Sequence, residues 1–102
     1  KRAAFAYVYR KGDRSSARDL LLLSAKSREG LKIGLSVSKK VGNAVTRNRV
    51  KRLIREGLKP LMEHIDPNFM YVIVAYPSIA ERGYEEVCES VRYAFNKAGK
   101  LL

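Results

Sequence analysis

Residues 31–55 read LKIGLSVSKKVGNAVTRNRVKRLIR, and two periodicities meet there. From Leu31 to Ser38 the residues alternate: Leu31, Ile33, Leu35 and Val37 point one way, Lys32, Gly34, Ser36 and Ser38 the other. A period of two belongs to a half-buried strand, here one whose second face is polar and unusually small. Residues 39–43 form a basic loop containing Gly42. Residues 44–65 then carry a helical period. Pro60 lacks an amide proton, so it kinks that helix or restarts it as a second piece.

The helix is two-sided. With Arg47 at zero and about 100° per residue, Lys51 lies at about 40°, Arg55 at about 80°, Asn48 at about 100° and Arg52 at about 140°. Val50, Leu53, Ile54, Gly57 and Leu61 fall opposite them, and Arg49 sits apart on the far rim of the cationic arc. Such a helix buries its apolar stripe on a sheet and turns five cations and an amide outward. Guanidinium forks match phosphate oxygens, and Asn48 can read a sugar hydroxyl or a base edge. A membrane-surface helix needs a large exposed apolar face with Trp or Phe, which this one lacks. A solvated face mixes signs, because like charges four apart repel. The segment from Gly30 to Arg55 holds eight cations and no acid. A nucleic acid is the partner that suits it.

The rest of the chain has the same asymmetry. Its 102 residues carry 21 Lys and Arg against 10 Asp and Glu, a net charge of +11, and 46% are hydrophobic. That length suits one domain, residues 1–102, with a core of its own. Residues 1–55 hold 16 basic and 3 acidic side chains, and residues 56–102 hold 5 and 7. No run approaches the ~18 apolar residues of a membrane span, so no membrane association is expected. A single cysteine, Cys88, excludes an internal disulfide and a cysteine zinc cluster, and fits a reducing, cytoplasmic setting. The chain opens on Lys1 rather than methionine, which reads as a cropped N-terminus.

Residues 3–11 read as a helix ended by Gly12, with Phe5 and Tyr9 on one face and Val8 close by. Residues 13–16 read as a polar loop. Residues 19–26, built on Leu20 to Leu23, read as a strand, and residues 27–30 as a turn. Residues 70–75 are continuously apolar, as in a strand covered on both faces, and Pro77 ends them. Residues 84–97 form a last helix with Tyr84, Val87, Val91, Phe95 and Ala98 on its inner stripe. Its early acids and late lysines complement the helix dipole. The order is helix, strands, helix, strand, helix: a small α/β sandwich.

Little here suits catalysis by the chain itself. His64 is the only histidine, and with Glu63 and Asp66 it makes no metal site of recognisable spacing. It reads as a surface residue near a helix end, and Cys88 as packed beside the last helix's stripe. No Ser-His-Asp set and no phosphate-cradling glycine loop can be assembled. No catalytic residue is assigned.

The segment GLSVSKKVGNAVTRNRVKRLIR, residues 34–55, closely resembles the signature of the bacterial ribonuclease P protein subunit. Its core is Arg47-Asn48-Arg49 followed by Lys51-Arg52 and preceded by Lys39-Lys40 and Gly42-Asn43. The resemblance extends loosely over the whole chain. It implies an α+β sandwich of order α-β-β-β-α-β-α, similar to ribosomal protein S5 domain 2, with a left-handed β-α-β crossover. It also implies further basic residues before Lys1. In that family the RNA subunit cleaves the 5′ leader from precursor tRNA with Mg²⁺. The protein binds that catalytic RNA and the leader, with no obligate protein partner. The resemblance places RNA-subunit binding on Lys39, Lys40, Asn43, Arg47, Asn48, Arg49, Lys51, Arg52 and Arg55. It places leader binding on Phe5, Tyr9, Lys32, Ser36 and Ser38, between the first helix and an exposed sheet face. Leu23 stands where the family often has an aromatic residue. By spacing alone, Phe5 and Tyr9 suit a core pair as well as a stacking platform. Two other classes stay open: a non-catalytic RNA-binding protein of ribosomal or chaperone type, and a self-sufficient nuclease.

Overall fold

The computed structural model describes residues 2–102; the chain start at Lys1 lies outside them. Three helices and four strands follow in the order α1 (Arg2–Lys11), β1 (Asp13–Ser16), β2 (Leu20–Lys26), β3 (Lys32–Ser36), α2 (Ala44–Leu58), β4 (Phe69–Ala75) and α3 (Tyr84–Lys97). Short 3₁₀ turns occupy Lys59–Leu61 and Pro77–Glu81. The strands form one mixed sheet of order β1-β2-β4-β3. β2 pairs antiparallel with β1 and with β4, from Leu20 opposite Ala75 to Lys26 opposite Phe69. β3 lies parallel to β4, so α2 is the crossover between two neighbouring parallel strands.

The leucine run has no period because it serves two cores. Leu20 and Leu22 face α2 and α3 with Tyr71, Ile73, Val50, Ile54, Val87, Val91 and Phe95. Leu21 and Leu23 face α1, where Val8 is fully buried beside Ala25 and Val72. β4 alternates between the same two cores, as its continuous apolar run predicts. The Tyr71 hydroxyl donates to the Asp66 carbonyl at 2.8 Å, and its ring meets Phe95 edge-on at 5.1 Å. Each fully buried leucine contributes about 1.5–3 kcal/mol.

Four expectations need correction. Asp13–Ser16 is an edge strand, not a loop: it pairs from Asp13 opposite Ser24 to Ser16 opposite Leu21. Its residues carry no apolar alternation because the buried Ser15 is anchored by a hydrogen bond, donating to the Ala94 carbonyl at 2.8 Å. β3 stops at Ser36, and Ser38 lies beyond the sheet. Ser38 closes a turn instead: its hydroxyl accepts from the Lys40 amide at 3.3 Å and its carbonyl from the Val41 amide at 3.0 Å. The α-helix after the loop ends at Leu58, and Pro60 sits in the 3₁₀ turn Lys59–Leu61 that leads the chain to buried Ile65. Tyr84 is 54% exposed: as the first residue of α3 it lies ahead of the buried stripe, which starts at Val87.

Candidate nucleic-acid interface

The cationic helix starts from a built cap. The Asn43 side chain accepts from the Thr46 amide at 2.9 Å, and the Asn43 carbonyl from the Arg47 amide at 2.9 Å. A Cβ on Gly42 would come within 2.9 Å of Thr46, so the approach to the helix needs glycine there. Asn43 thus supports the interface through the backbone. Val50, Leu53, Ile54, Gly57 and Leu58 bury the opposite stripe.

The cations behave differently from one another. Arg47 folds back and donates from Nε to the Gly42 carbonyl at 3.1 Å. Arg49 is half-buried and donates from Nη2 to the Arg82 carbonyl at 2.7 Å, just ahead of α3. Asn48, Arg52 and Arg55 are exposed and Lys51 is half-buried; Lys39 and Lys40 are exposed in the turn before the cap. Among the described residues no carboxylate pairs with any of these arginines and lysines. Glu56, the one acid on α2, pairs with Lys59 at 2.9 Å.

The second surface is the face under α1. The Phe5 ring lies against Gly34: a Cβ there would come 2.6 Å from Phe5 Cζ. Phe5 is half-buried at the edge of the smaller core, whereas Tyr9 is 46% exposed. The pair therefore divides, one packed and one open, and Gly34 makes room for Phe5. Tyr7, which sequence reading passed over, is exposed on α1 as well. Ser36 is half-buried on β3, and Lys32 pairs with Glu29. Leu23 is 1% exposed, inside the core. β3 is thus the border between the two surfaces, with Phe5 on one side and the α2 cations on the other.

Asp19 went unnoticed in the sequence. It is fully buried, accepting from Arg18 Nε at 2.9 Å, Arg82 Nε at 3.0 Å and the Ser78 hydroxyl at 2.9 Å. Burial pushes its carboxyl up, but the hydrogen bonds from Arg18, Arg82 and Ser78 outweigh that and hold it below the usual carboxylate range. A lone acid next to four leucines was the only available signal. His64 is exposed and Cys88 half-buried. Among the described residues no group of three or more His, Cys, Asp or Glu is placed to hold a metal ion, and no helix is long and apolar enough to cross a membrane.

Fold and site define a small α+β sandwich that presents a helix beside an edge strand, its arginines and Lys51 paired with no carboxylate among the described residues. Residues 1–99 match the family model for ribonuclease P. The ribonuclease P protein component of Bacillus cereus strain Q1 is 41% identical over 97% of this chain and 88% of its own length. That of Bacillus anthracis strain CDC 684 is 40% identical over 97% and 85%. The chain belongs to the ribonuclease P protein family. Among solved structures, a Staphylococcus aureus RNase P protein mutant with defective mRNA degradation activity superposes with a TM-score of 0.92 at 30% identity, over 99% of this chain and 86% of that one. The RNase P protein from Thermotoga maritima shares the fold, with a TM-score of 0.80 at 22% identity over 89% and 87%.

Proposed function

We propose that this chain is the protein component of a cytoplasmic ribonuclease P, binding the catalytic RNA subunit and the 5′ leader of precursor tRNA and so assisting endonucleolytic 5′ maturation. One observation carries the reading: Lys51, Arg52 and Arg55 stand on a helix whose other side is buried, with no carboxylate paired to them among the described residues. Such a face neutralises phosphates, and a rigid sandwich holds its register. Arg47, Asn48, Lys39 and Lys40 extend it, and Asn43 fixes the helix start. Tyr9, Phe5, Lys32 and Ser36 would line the leader's path, with an exposed tyrosine as a sequence-tolerant stacking surface. Ser38 would serve through its turn.

Hydrolysis is assigned to the RNA and its Mg²⁺. The part proposed for this chain is positioning and charge neutralisation, which its carboxylate-free cations on α2 supply. The test is reconstitution with a Bacillus ribonuclease P RNA and precursor tRNA at low Mg²⁺. The expected result is faster 5′ cleavage only when both components are present; no gain would overturn the proposal. Cleavage by the protein alone would favour a self-sufficient nuclease, a reading that the mRNA degradation activity named for the Staphylococcus aureus relative keeps in view.

A further inference from the structure

The inner face of β3 is not fully covered. Leu20, Leu22 and Ile73, on the same side of the sheet, are completely buried, whereas Ile33 and Leu35 are only half-buried. Between them and α2 runs an open groove of about 450 Å³. Ile33, Leu35, Leu58 and Met62 supply its apolar surface, and Met62 is 42% exposed. Lys51, Arg55 and Lys59 line it as well. Glu56 offsets Lys59 at 2.9 Å, which leaves Lys51 and Arg55 without a paired carboxylate among the described residues.

We infer that this groove takes one unpaired nucleotide of the RNA subunit, its base against Ile33, Leu35 and Met62 and its flanking phosphates on Lys51 and Arg55. This rests on the RNA-binding reading and deepens it. A duplex offers its stacked bases only at their edges, so an apolar floor behind a cationic rim suits a base that has been splayed out of the stack. The volume falls in the ~300–1,000 Å³ range of small-ligand pockets. The groove is also continuous with the proposed phosphate-binding face, because Lys51 and Arg55 belong to both.

The experiment uses the full chain and a Bacillus ribonuclease P RNA transcript. Met62→Ala removes apolar contact and no charge. It is expected to weaken binding about fourfold to fifteenfold, the scale of one or two lost methylene contacts, with the salt dependence unchanged. A Cys88→Ser, Met62→Cys chain carrying a short aryl azide at position 62 is expected to crosslink to one or two unpaired nucleotides. Unaltered affinity for Met62→Ala together with crosslinks only in base-paired stems, or none, would overturn the inference. If Arg52→Ala with Arg55→Ala still weakens binding in that case, the wider RNA-binding reading survives. Failure of the unsubstituted chain to bind the transcript would bring down both.

Discussion

Arg49 and Arg82 are joined by a hydrogen bond from a guanidinium to a main-chain carbonyl, 2.7 Å long and 33 residues apart in sequence. Arg82 in turn donates to buried Asp19 at 3.0 Å. Two cations of like sign are thus brought together, one using its charge on the other's backbone while the second uses its charge on a carboxylate. The middle of the Arg47-Asn48-Arg49 triplet faces outward and its last member faces the scaffold. Arg49→Ala is expected to destabilise the protein by about 1.5–3 kcal/mol, the scale of a lost charged hydrogen bond, read from urea unfolding. The salt dependence of RNA binding should stay as it was. Unchanged stability with a flatter salt dependence would instead make Arg49 a phosphate contact.

Asp19→Asn should cost more than a surface charge change, since it leaves Arg18 and Arg82 facing a neutral group. About 1–3 kcal/mol is expected, below the ~3–5 of a fully buried broken pair because both arginines are partly exposed. Its carboxyl is held low in the fold. The stability it contributes is therefore fully present above the unfolded value of about 3.9, and is lost as pH falls through the lower folded value. Unfolding measured between neutral pH and pH 3 should show a steeper acid loss for the unsubstituted chain than for Asp19→Asn. Parallel curves would contradict the assignment.

Replacing Arg52 and Arg55 together by alanine tests the outward face with little risk to the fold, as both are exposed and neither is bonded to a carboxylate among the described residues. RNA affinity should drop, and the slope of log affinity against log salt should lessen by about 0.7–0.9 per lost phosphate contact. An unaltered slope in filter binding would move the contact surface elsewhere.

Tyr9→Ala should weaken binding of leader-bearing precursor tRNA by about 1–3 kcal/mol, the stacking contribution of one base, and leave mature tRNA unaffected. Equal loss on both would return Tyr9 to a packing role.

Gly34→Ala forces the Phe5 ring to move, because the new carbon would sit 2.6 Å from Phe5 Cζ. A loss of about 1–2 kcal/mol is expected from overpacking, and Phe5→Leu in the same chain should recover much of it. No recovery would mean the glycine serves something other than that ring.

The two-sided period of α2 was plain from the sequence, because one face is buried and the other is not; the alternation of residues 31–36 was plain because Ile33 and Leu35 turn to the larger core while Gly34 turns to the Phe5 ring on the other face. α3 was legible for the same reason, except at Tyr84, where a helix's first residue carries the right spacing but lies ahead of the core. β1 was hidden because Ser15 meets the core through its hydroxyl, a contact with no hydropathy signature. Ser38 continued the strand's alternation into a turn, where the backbone bends for reasons local to Lys40 and Val41. The cationic arc could be counted from spacing, but the diversion of Arg49 could not, since its partner is a carbonyl and every residue has one. The division between Phe5 and Tyr9 likewise depended on Gly34, whose part appears only when β3 lies beside β4 beneath α1.

β4 is the last strand in the chain and an inner strand of the sheet, held between β2 and β3. Synthesis therefore delivers the basic helix before β3 has any neighbour to bond with. A nascent chain that stops short of Phe69 is a polycation with a leucine hairpin and nothing to lay it on. Closure of the sheet therefore waits on the arrival of Ala75, three-quarters of the way along the chain.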